Sequence, residues 1–450
     1  MVDNVLLVTI DSLRADHLDL QDDKKIAPNI TPTEDEGTYF SQAIANGPST
    51  PSSFPSILTG TLPLMYGGYH YLDDDRPFLA KKFEAEGYTT VAYHSNPHLG
   101  ENRNYDAGFS TFNDSAEGSD AIARLKDSIE QRLDPDSTVY SLLRRLWHYY
   151  TLITDSSAYA KAPTITENSL NWLDETWDSG SPFFMWLHYM DAHYPFTPPD
   201  QFFEELGYSP LSKSRIAELN GKMQESSGDL TDEDVDDLLK LYDGEIRFTD
   251  HYIGELLDYL EQQDILDETI VIITADHGEA FGEHGRFGHH PYLYDELLRV
   301  PLIVYAPGYE PRSIDQQVSL LDIGPSLYDM LKLNIPEAMQ GTSFKPLLRG
   351  EEIDEEVAIA TGMDGQTLAC RKSNWKCFWK VEEGEVELYD LRSDPNELND
   401  VSTDNPTILE ELQGVMEDYL DEAEQMDIEF PEVEQSPEVQ QRLRDLGYVD

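Results

Sequence analysis

An α/β fold built on a mostly parallel sheet is what this sequence predicts, and three observations carry the prediction. Short apolar runs rich in β-branched residues recur along the chain, helical patterns separate them, and two of the runs end in carboxylates. Runs of this kind read as buried parallel strands. Strands alternating with helices imply a sheet covered by helices on both faces.

The first run is Val5-Leu6-Leu7-Val8-Thr9-Ile10, and residues 89–93, 183–187, 269–274 and 302–305 repeat the pattern. Residues 77–86 predict a helix with Gly87 as its C-cap. Residues 232–262 place Leu238, Leu241, Ile246, Ile253, Leu256, Leu257 and Leu260 at helical spacing, which predicts one long amphipathic helix. Residues 113–180 carry helical spacing and 198–236 are polar and acidic. The stretch 113–236 is therefore expected to form a variable helical or lid region of a large α/β domain spanning 1–350. Beyond about 350 the texture alternates, with a hairpin turning at Gly384 and a helix over 406–423. A small C-terminal α+β subdomain over 351–425 and an acidic tail over 426–450 are expected.

Composition excludes several classes of function. The 450 residues include 88 Asp and Glu against 31 Lys and Arg, a formal net charge of −57. Nucleic-acid binding is disfavoured because phosphate backbones require Lys and Arg, and an anionic membrane surface is disfavoured for the same reason. The acid is spread over the whole chain. Self-repulsion on this scale destabilises a compact state until salt shortens the screening length to ~3 Å near 1 M. The composition is similar to that of proteins from salt-in halophiles, so a high-salt cytoplasm is the expected setting. Cys370 and Cys377 alone make neither a disulfide framework nor a zinc site. No signal peptide is read before the first strand, and no apolar run reaches the ~18 residues of a membrane span. A soluble protein with no membrane insertion is expected.

Open α/β sheets bind ligands at the carboxyl ends of their strands. The first strand ends in Asp11, and the run 269–274 leads into Asp276 and His277. Two carboxylates and an imidazole at one sheet edge suit a divalent metal. The segment Gly47-Pro-Ser-Thr-Pro-Ser-Ser-Phe-Pro-Ser-Ile-Leu-Thr-Gly60 is crowded with hydroxyls ahead of a helix start. A hydroxyl there gains from the helix N-terminus, which also favours a bound oxyanion.

With these pieces in order, the chain resembles the sulfatase family of the alkaline phosphatase superfamily. The resemblance rests on Val8 to Asp16, Thr50 to Gly60, Ala85 to Thr90, His188 to Pro199, Tyr242 to Asp250, Thr274 to Gly285, Gly288-His-His, Leu293 to Leu302 and Glu387 to Glu397. It implies an alkaline-phosphatase-like three-layer sandwich and a metal-dependent hydrolase of sulfuric or phosphoric mono- or diesters. Asp11, Asp276 and His277 match metal ligands. Thr50 falls at the nucleophile position. His193 matches a histidine on the ester or its leaving group, and His289 one that touches the bound oxyanion. His98 matches a substrate contact, and Asn96 beside it and Arg286 are further substrate-binding candidates. The implied substrate is a small-molecule or glycan sulfate or phosphate ester.

The pattern departs from the family in two places. Sulfatases mature a Cys or Ser at the nucleophile position into formylglycine. Thr50 stands there instead, with Phe54 where an arginine is expected. No formylglycine is expected at Thr50. A metal-activated threonine is expected, as among the superfamily's phosphodiesterases and phosphomutases, with Ser49, Ser52 and Ser53 as the neighbouring alternatives. Ser12 stands where many relatives carry a second Asp or a Gln. A hydroxyl is a weaker ligand, so one divalent metal is expected, with Ca, Mg or Mn ahead of Zn. The alternatives are a phospho- or sulfo-transferase or mutase on the same fold, and a non-catalytic binder of sulfated or phosphorylated glycans. Glu279 is expected to support His277 or the neighbouring loop, and His284 and His290 to be structural.

Overall fold

The computed structural model describes residues 3–18, 26–31, 37–114, 159–224, 230–289, 292–426 and 440. Parts of the expected lid region, 115–158 and 225–229, and most of the acidic tail lie outside the described residues, as does His290.

The strands are β1 (Asn4–Ile10), β2 (Thr38–Ile44), β3 (Thr89–His94), β4 (Thr111–Asp114), β5 (Phe183–Tyr189), β6 (Thr269–Ala275), β7 (Ala280–Phe281), β8 (Phe287–Gly288), β9 (Arg299–Tyr305), β10 (Ser313–Ile314) and β11 (Val318–Ser319). Nine of them form one sheet in the order β10-β2-β9-β6-β1-β5-β3-β4, with β11 also paired to β2. β6, β1, β5, β3 and β4 run parallel to their neighbours in that order, while β9 is antiparallel to both β6 and β2. Every residue of β1, β5 and β6 is buried, which explains why these strands are nearly continuous apolar runs.

The helices that matter for the site are α1 (Thr50–Thr59), α2 (Leu79–Ala85), α3 (Ala162–Glu175), α4 (Asp232–Gln262) and α5 (Ile323–Met330). α3 packs on α4 and on β3 and β5, while α1 packs with α2 and α5. α4 opens with a capping box. Thr231 Oγ1 accepts the Asp234 N–H at 3.2 Å, and Asp234 reaches back to the Thr231 N–H at 2.9 Å. This satisfies two helix-end donors, and 31 residues follow without a break. Gly87, just past α2, takes φ 90°, the left-handed region that favours glycine.

A second, antiparallel sheet comprises β12 (Ala358–Thr361), β13 (Thr367–Lys372), β14 (Trp375–Lys380) and β15 (Glu385–Asp390). Gly384 turns the last hairpin at φ 68°, and α6 (Pro406–Gln425) packs across β13 and β14. Leu368, Leu388, Leu412, Met416 and Tyr419 fill the space between them. Cys370 and Cys377 face each other across the β13–β14 register as buried free thiols.

Candidate active site

Strand register brings the first components together. Ile10 lies opposite both Ala275 and Tyr189, so Asp11 and Asp276 leave adjacent strand ends side by side. Thr9 lies opposite His188. Side chains alternate along a strand, so Thr9, Asp11 and His188 share a face. The carboxylate and imidazole atoms of Asp11, His188 and Asp276 all lie within 4.8 Å of one another. His188 Nε2 is 3.3 Å from Asp11 Oδ2. His277 Nε2 is 3.5 Å from Asp11 Oδ1 and 3.6 Å from Asp276 Oδ2. All four side chains are fully buried.

Burying two carboxylates costs several kcal/mol each unless they are paired. The β1 core offsets part of this, because each buried Val, Leu or Ile contributes roughly 1.5–3 kcal/mol. Ser12 supplies local compensation. It sits in the left-handed region at φ 60°, uncommon for a residue with a side chain. In that turn its Oγ donates to Asp11 Oδ1 at 3.0 Å and its N–H to Asp276 Oδ1 at 3.3 Å. The side chain that replaces an expected ligand thus braces both carboxylates.

The imidazoles present lone pairs to these carboxylates. Thr9 Oγ1 donates to the Leu187 carbonyl at 3.1 Å, so at 3.0 Å it accepts the proton on His188 Nδ1. That tautomer leaves the lone pair on Nε2. His277 Nδ1 donates to the Gly278 carbonyl at 2.7 Å, again leaving the lone pair on Nε2. Neither His277 Nε2 nor Asp276 Oδ2 has a hydrogen-bond partner among the described residues. Two lone pairs and two carboxylates converging in a buried space fit a divalent cation.

Thr50 meets this cluster from the other side. Its Oγ1 donates to Asp11 Oδ2 at 3.2 Å. Asn96, just beyond β3, donates from Nδ2 to Asp11 Oδ2 at 3.1 Å and to Thr50 Oγ1 at 3.3 Å. The approach to α1 is tight, since a Cβ on Gly47 would stand 2.2 Å from Ser52 Oγ. Ser53 Oγ ties α1 to the end of β6 by donating to the Asp276 carbonyl at 2.6 Å. Ser49 and Ser52 pair with each other at 3.1 Å. Phe54, in place of the expected arginine, packs edge-on to the His188 ring at 5.0 Å and against Trp186 at 5.4 Å.

His289 joins from a short hairpin. Its ring centroid lies 4.8 Å from those of both His193 and His277. Glu279 contacts His289, with Oε1 3.5 Å from Nδ1. Of the two expected partners, His277 and the neighbouring loop, its contact is with the loop. His193 Nδ1 donates to the Tyr194 carbonyl. His98 is fixed through its N–H, which donates to Asn96 Oδ1 at 2.9 Å. Arg286 does not join the group. It is exposed and stacks over Tyr292 with its guanidinium 4.3 Å from the ring, and the positive-φ turn at His284 and Gly285 carries it outward. His284 stacks on Tyr294 at 3.6 Å. Arg14 is paired to Asp16 and Glu283.

Burial and neighbouring charge set the protonation pattern. Burial pushes Asp11 up, but the imidazoles of His193, His188 and His277 outweigh it and hold the carboxyl well below its ordinary range. Asp276 is raised, first by burial and then by the charge on Asp11. Burial depresses His193 and His277 to about 4 each, so both are neutral bases at pH 7. Burial pulls His289 down as well, but Glu279 more than compensates and the imidazole is raised. His98 is held well below its usual value by burial and then by Arg103.

Sequence reasoning missed His188 as a ligand candidate and did not name His289 as the residue of the neighbouring loop that Glu279 meets. For His188 a signal existed: it is an ionisable side chain in the otherwise apolar stretch Phe183-Phe-Met-Trp-Leu-His188. For Glu279 the signal lay in hairpin pairing, which short two-residue strands do not announce.

A parallel sheet whose strand ends deliver two acids, imidazoles and a hydroxyl to one buried point defines an alkaline-phosphatase-like ester hydrolase. Residues 3–333 match the Sulfatase family model, and residues 282–426 match that of the N-sulphoglucosamine sulphohydrolase C-terminal region. The chain belongs to the sulfatase family and is a sulfuric ester hydrolase. It is 26% identical over 475 residues to an arylsulfatase of Clostridium perfringens, covering 94% of this chain and 96% of the relative. It is 24% identical over 414 residues to an ulvan-active sulfatase of Formosa agariphila, covering 88% and 76%. Two solved structures share the fold with a TM-score of 0.69. One is the phosphonate monoester hydrolase of Agrobacterium radiobacter, at 20% identity and 94% and 96% coverage. The other is a protein in complex with its substrate D-glucosamine-2-N,6-O-disulfate, at 18% identity and 96% and 100% coverage.

Proposed function

We propose that this enzyme cleaves sulfate or phosphonate esters by direct attack of Thr50 Oγ1. The single observation that carries this reading is the contact of that hydroxyl with Asp11 and Asn96 at 3.2 and 3.3 Å. Oxidation of a threonine side chain would give a ketone, so the reading requires no formylglycine at Thr50. Attack forms the bond from Oγ1 to sulfur or phosphorus and breaks the bond to the alcohol oxygen. The proton that leaves Thr50 Oγ1 on attack is taken up by His193, a neutral base in the free enzyme, which returns it to the leaving oxygen. Asn96 orients the hydroxyl, and His289 holds the ester oxyanion. Water then hydrolyses the ester on Thr50.

Asp11, His188, Asp276 and His277 would hold one divalent metal. When bound, such a metal neutralises charge on the ester and lowers the pKa of the hydroxyl beside it. The second imidazole moves the expected preference from Ca and Mg toward Mn or Zn. The charged groups that act most strongly on Asp11, His193, His277 and His289 are imidazoles and carboxylates. Membership of the sulfatase family supports a singly charged ester over a phosphate monoester dianion.

The test is a panel of p-nitrophenyl sulfate, p-nitrophenyl phenylphosphonate and p-nitrophenyl phosphate, run at molar salt with Mn, Mg, Ca or Zn. Wild type is expected to prefer the first two. Thr50→Ala is expected to lose at least about a thousandfold in kcat/KM while keeping its metal. Unchanged turnover in that variant would reject Thr50 as nucleophile.

A further inference from the structure

The hairpin after the β6 carboxylate makes a second arrangement. β7 and β8 pair Ala280 with Gly288 and Phe281 with Phe287. One rung further, Glu279 faces His289 across the opening of the hairpin. Glu279 is fully buried, and neither carboxylate oxygen has a hydrogen-bond partner among the described residues. Its contact with His289 Nδ1 is 3.5 Å. A buried carboxylate without other support is costly, so its position calls for a cationic or donor partner. His289 is the imidazole placed to serve, and it lies against both His193 and His277.

We propose that Glu279 is a positioning residue that fixes the ring of His289 through Nδ1, so that Nε2 is presented to the ester oxyanion. A carboxylate that holds one ring nitrogen sets both the tautomer and the ring orientation. Gly278, between His277 and Glu279, is held by its N–H, which donates to the Leu297 carbonyl at 2.8 Å, and has no room for a side chain, since a Cβ there would lie 2.0 Å from the Glu296 carbonyl oxygen. The backbone that sets His277 toward Asp11 therefore also sets Glu279 toward His289. This inference rests on the proposed role of His289 as the oxyanion contact.

A double-mutant cycle on the full chain, loaded with metal, tests it. KM for p-nitrophenyl sulfate and the inhibition constant of inorganic sulfate are measured for wild type, Glu279→Gln, His289→Asn and the double variant. Sulfate binding is also read by thermal shift, which needs no turnover. Glu279→Gln is expected to raise KM and weaken sulfate about tenfold, the lower range for a charge-assisted contact, with kcat falling far less. In the His289→Asn background the same change is expected to do nothing beyond about twofold. Additive effects would overturn the proposal, as would a Gln variant that binds sulfate like wild type. Should the Gln variant not fold, Glu279→Asp retracts the carboxylate by one methylene and enters the same cycle, with the same outcomes deciding. A wild type that binds sulfate but turns over no ester would sink the Thr50 reading and leave the cycle intact. Normal turnover with additive shifts would sink the cycle alone.

Discussion

Thr50 Oγ1 donates a 3.2 Å hydrogen bond to Asp11 Oδ2, across 39 residues of chain. The acceptor is a carboxylate held well below its ordinary pKa range, and the donor opens a helix that a serine bond fastens to the end of β6. Neither group needs to travel to meet the other. The relation is a product of the sheet: β1 and β6 end level with each other, and α1 docks over that end.

Asn96 is the third corner of this relation, and its role is open to measurement. Its Nδ2 serves Asp11 and Thr50 together, while Oδ1 is committed to the His98 N–H. Asn96→Ala is expected to lower kcat for p-nitrophenyl sulfate by about a hundredfold, the scale for loss of one oriented donor. Asn96→Asp is expected to be worse than Ala, because it keeps the acceptor for His98 but brings a third carboxylate against Asp11. Steady-state kinetics of the two variants check the order. Equal activity for Asp and wild type would show that the donor is not used.

Metal binding and stability are coupled in a direction that can be checked. Without a cation and above about pH 8, where Asp276, raised by burial and then by the Asp11 charge, ionises, the carboxylates of Asp11 and Asp276 oppose each other and two imidazole lone pairs. Asp276→Asn removes that repulsion, so the metal-free variant is expected to melt above metal-free wild type. Added Mn should raise the melting temperature of wild type by mass action and leave the variant nearly unmoved. His188→Gln is expected to bind metal about 10–100-fold more weakly. Thermal melts with and without chelator, beside metal titrations, provide the readout. A metal-free variant less stable than metal-free wild type would contradict the repulsion.

Much of this site is legible in the sequence because strand ends are. Apolar runs such as Val5 to Ile10 and Thr269 to Thr274 mark buried strands, and the first polar residues beyond them, Asp11 and Asp276, stand at the sheet edge. Thr50, His193, His98 and Asn96 follow the same logic of loops at one edge. What is not legible depends on pairing. β2 runs Thr-Tyr-Phe-Ser-Gln-Ala-Ile through a register shift between Phe40 and Ala43, so its alternation is broken. His188 is a ligand candidate only because the strand carrying it lies beside β1. Arg286 looks like a site residue by proximity in sequence, but the left-handed turn before it points it to solvent.

Net charge gives a prediction about conditions. With 88 acids against 31 Lys and Arg, many surface carboxylates have no cation to pair with. The melting temperature is expected to rise continuously between about 0.1 M and about 2 M KCl, where the screening length drops from ~10 Å to a few ångströms. A protein adapted to ordinary salt would level off at the low end. Melts at constant pH across that range decide between them.

Stability should also depend on pH through Asp191, which lies two residues before His193. The side chain is fully buried at the start of α3. Burial pushes it up to about 7, against the opposing pull of Lys161 and the Ala162 N–H. An unfolded Asp titrates near 3.9. Between those two values the folded chain holds a proton that the unfolded chain releases. Stability contributed by this group is therefore fully present below about pH 4 and is lost as pH rises toward 7, at up to about 1.4 kcal/mol per pH unit. Asp191→Asn cannot ionise, so the variant should gain on wild type as pH is raised from 5 to 7 at fixed salt. Urea midpoints of the two proteins across that range test the sign. A wild type that gains on the variant instead would show that Asp191 is ionised in the fold, held by Lys161.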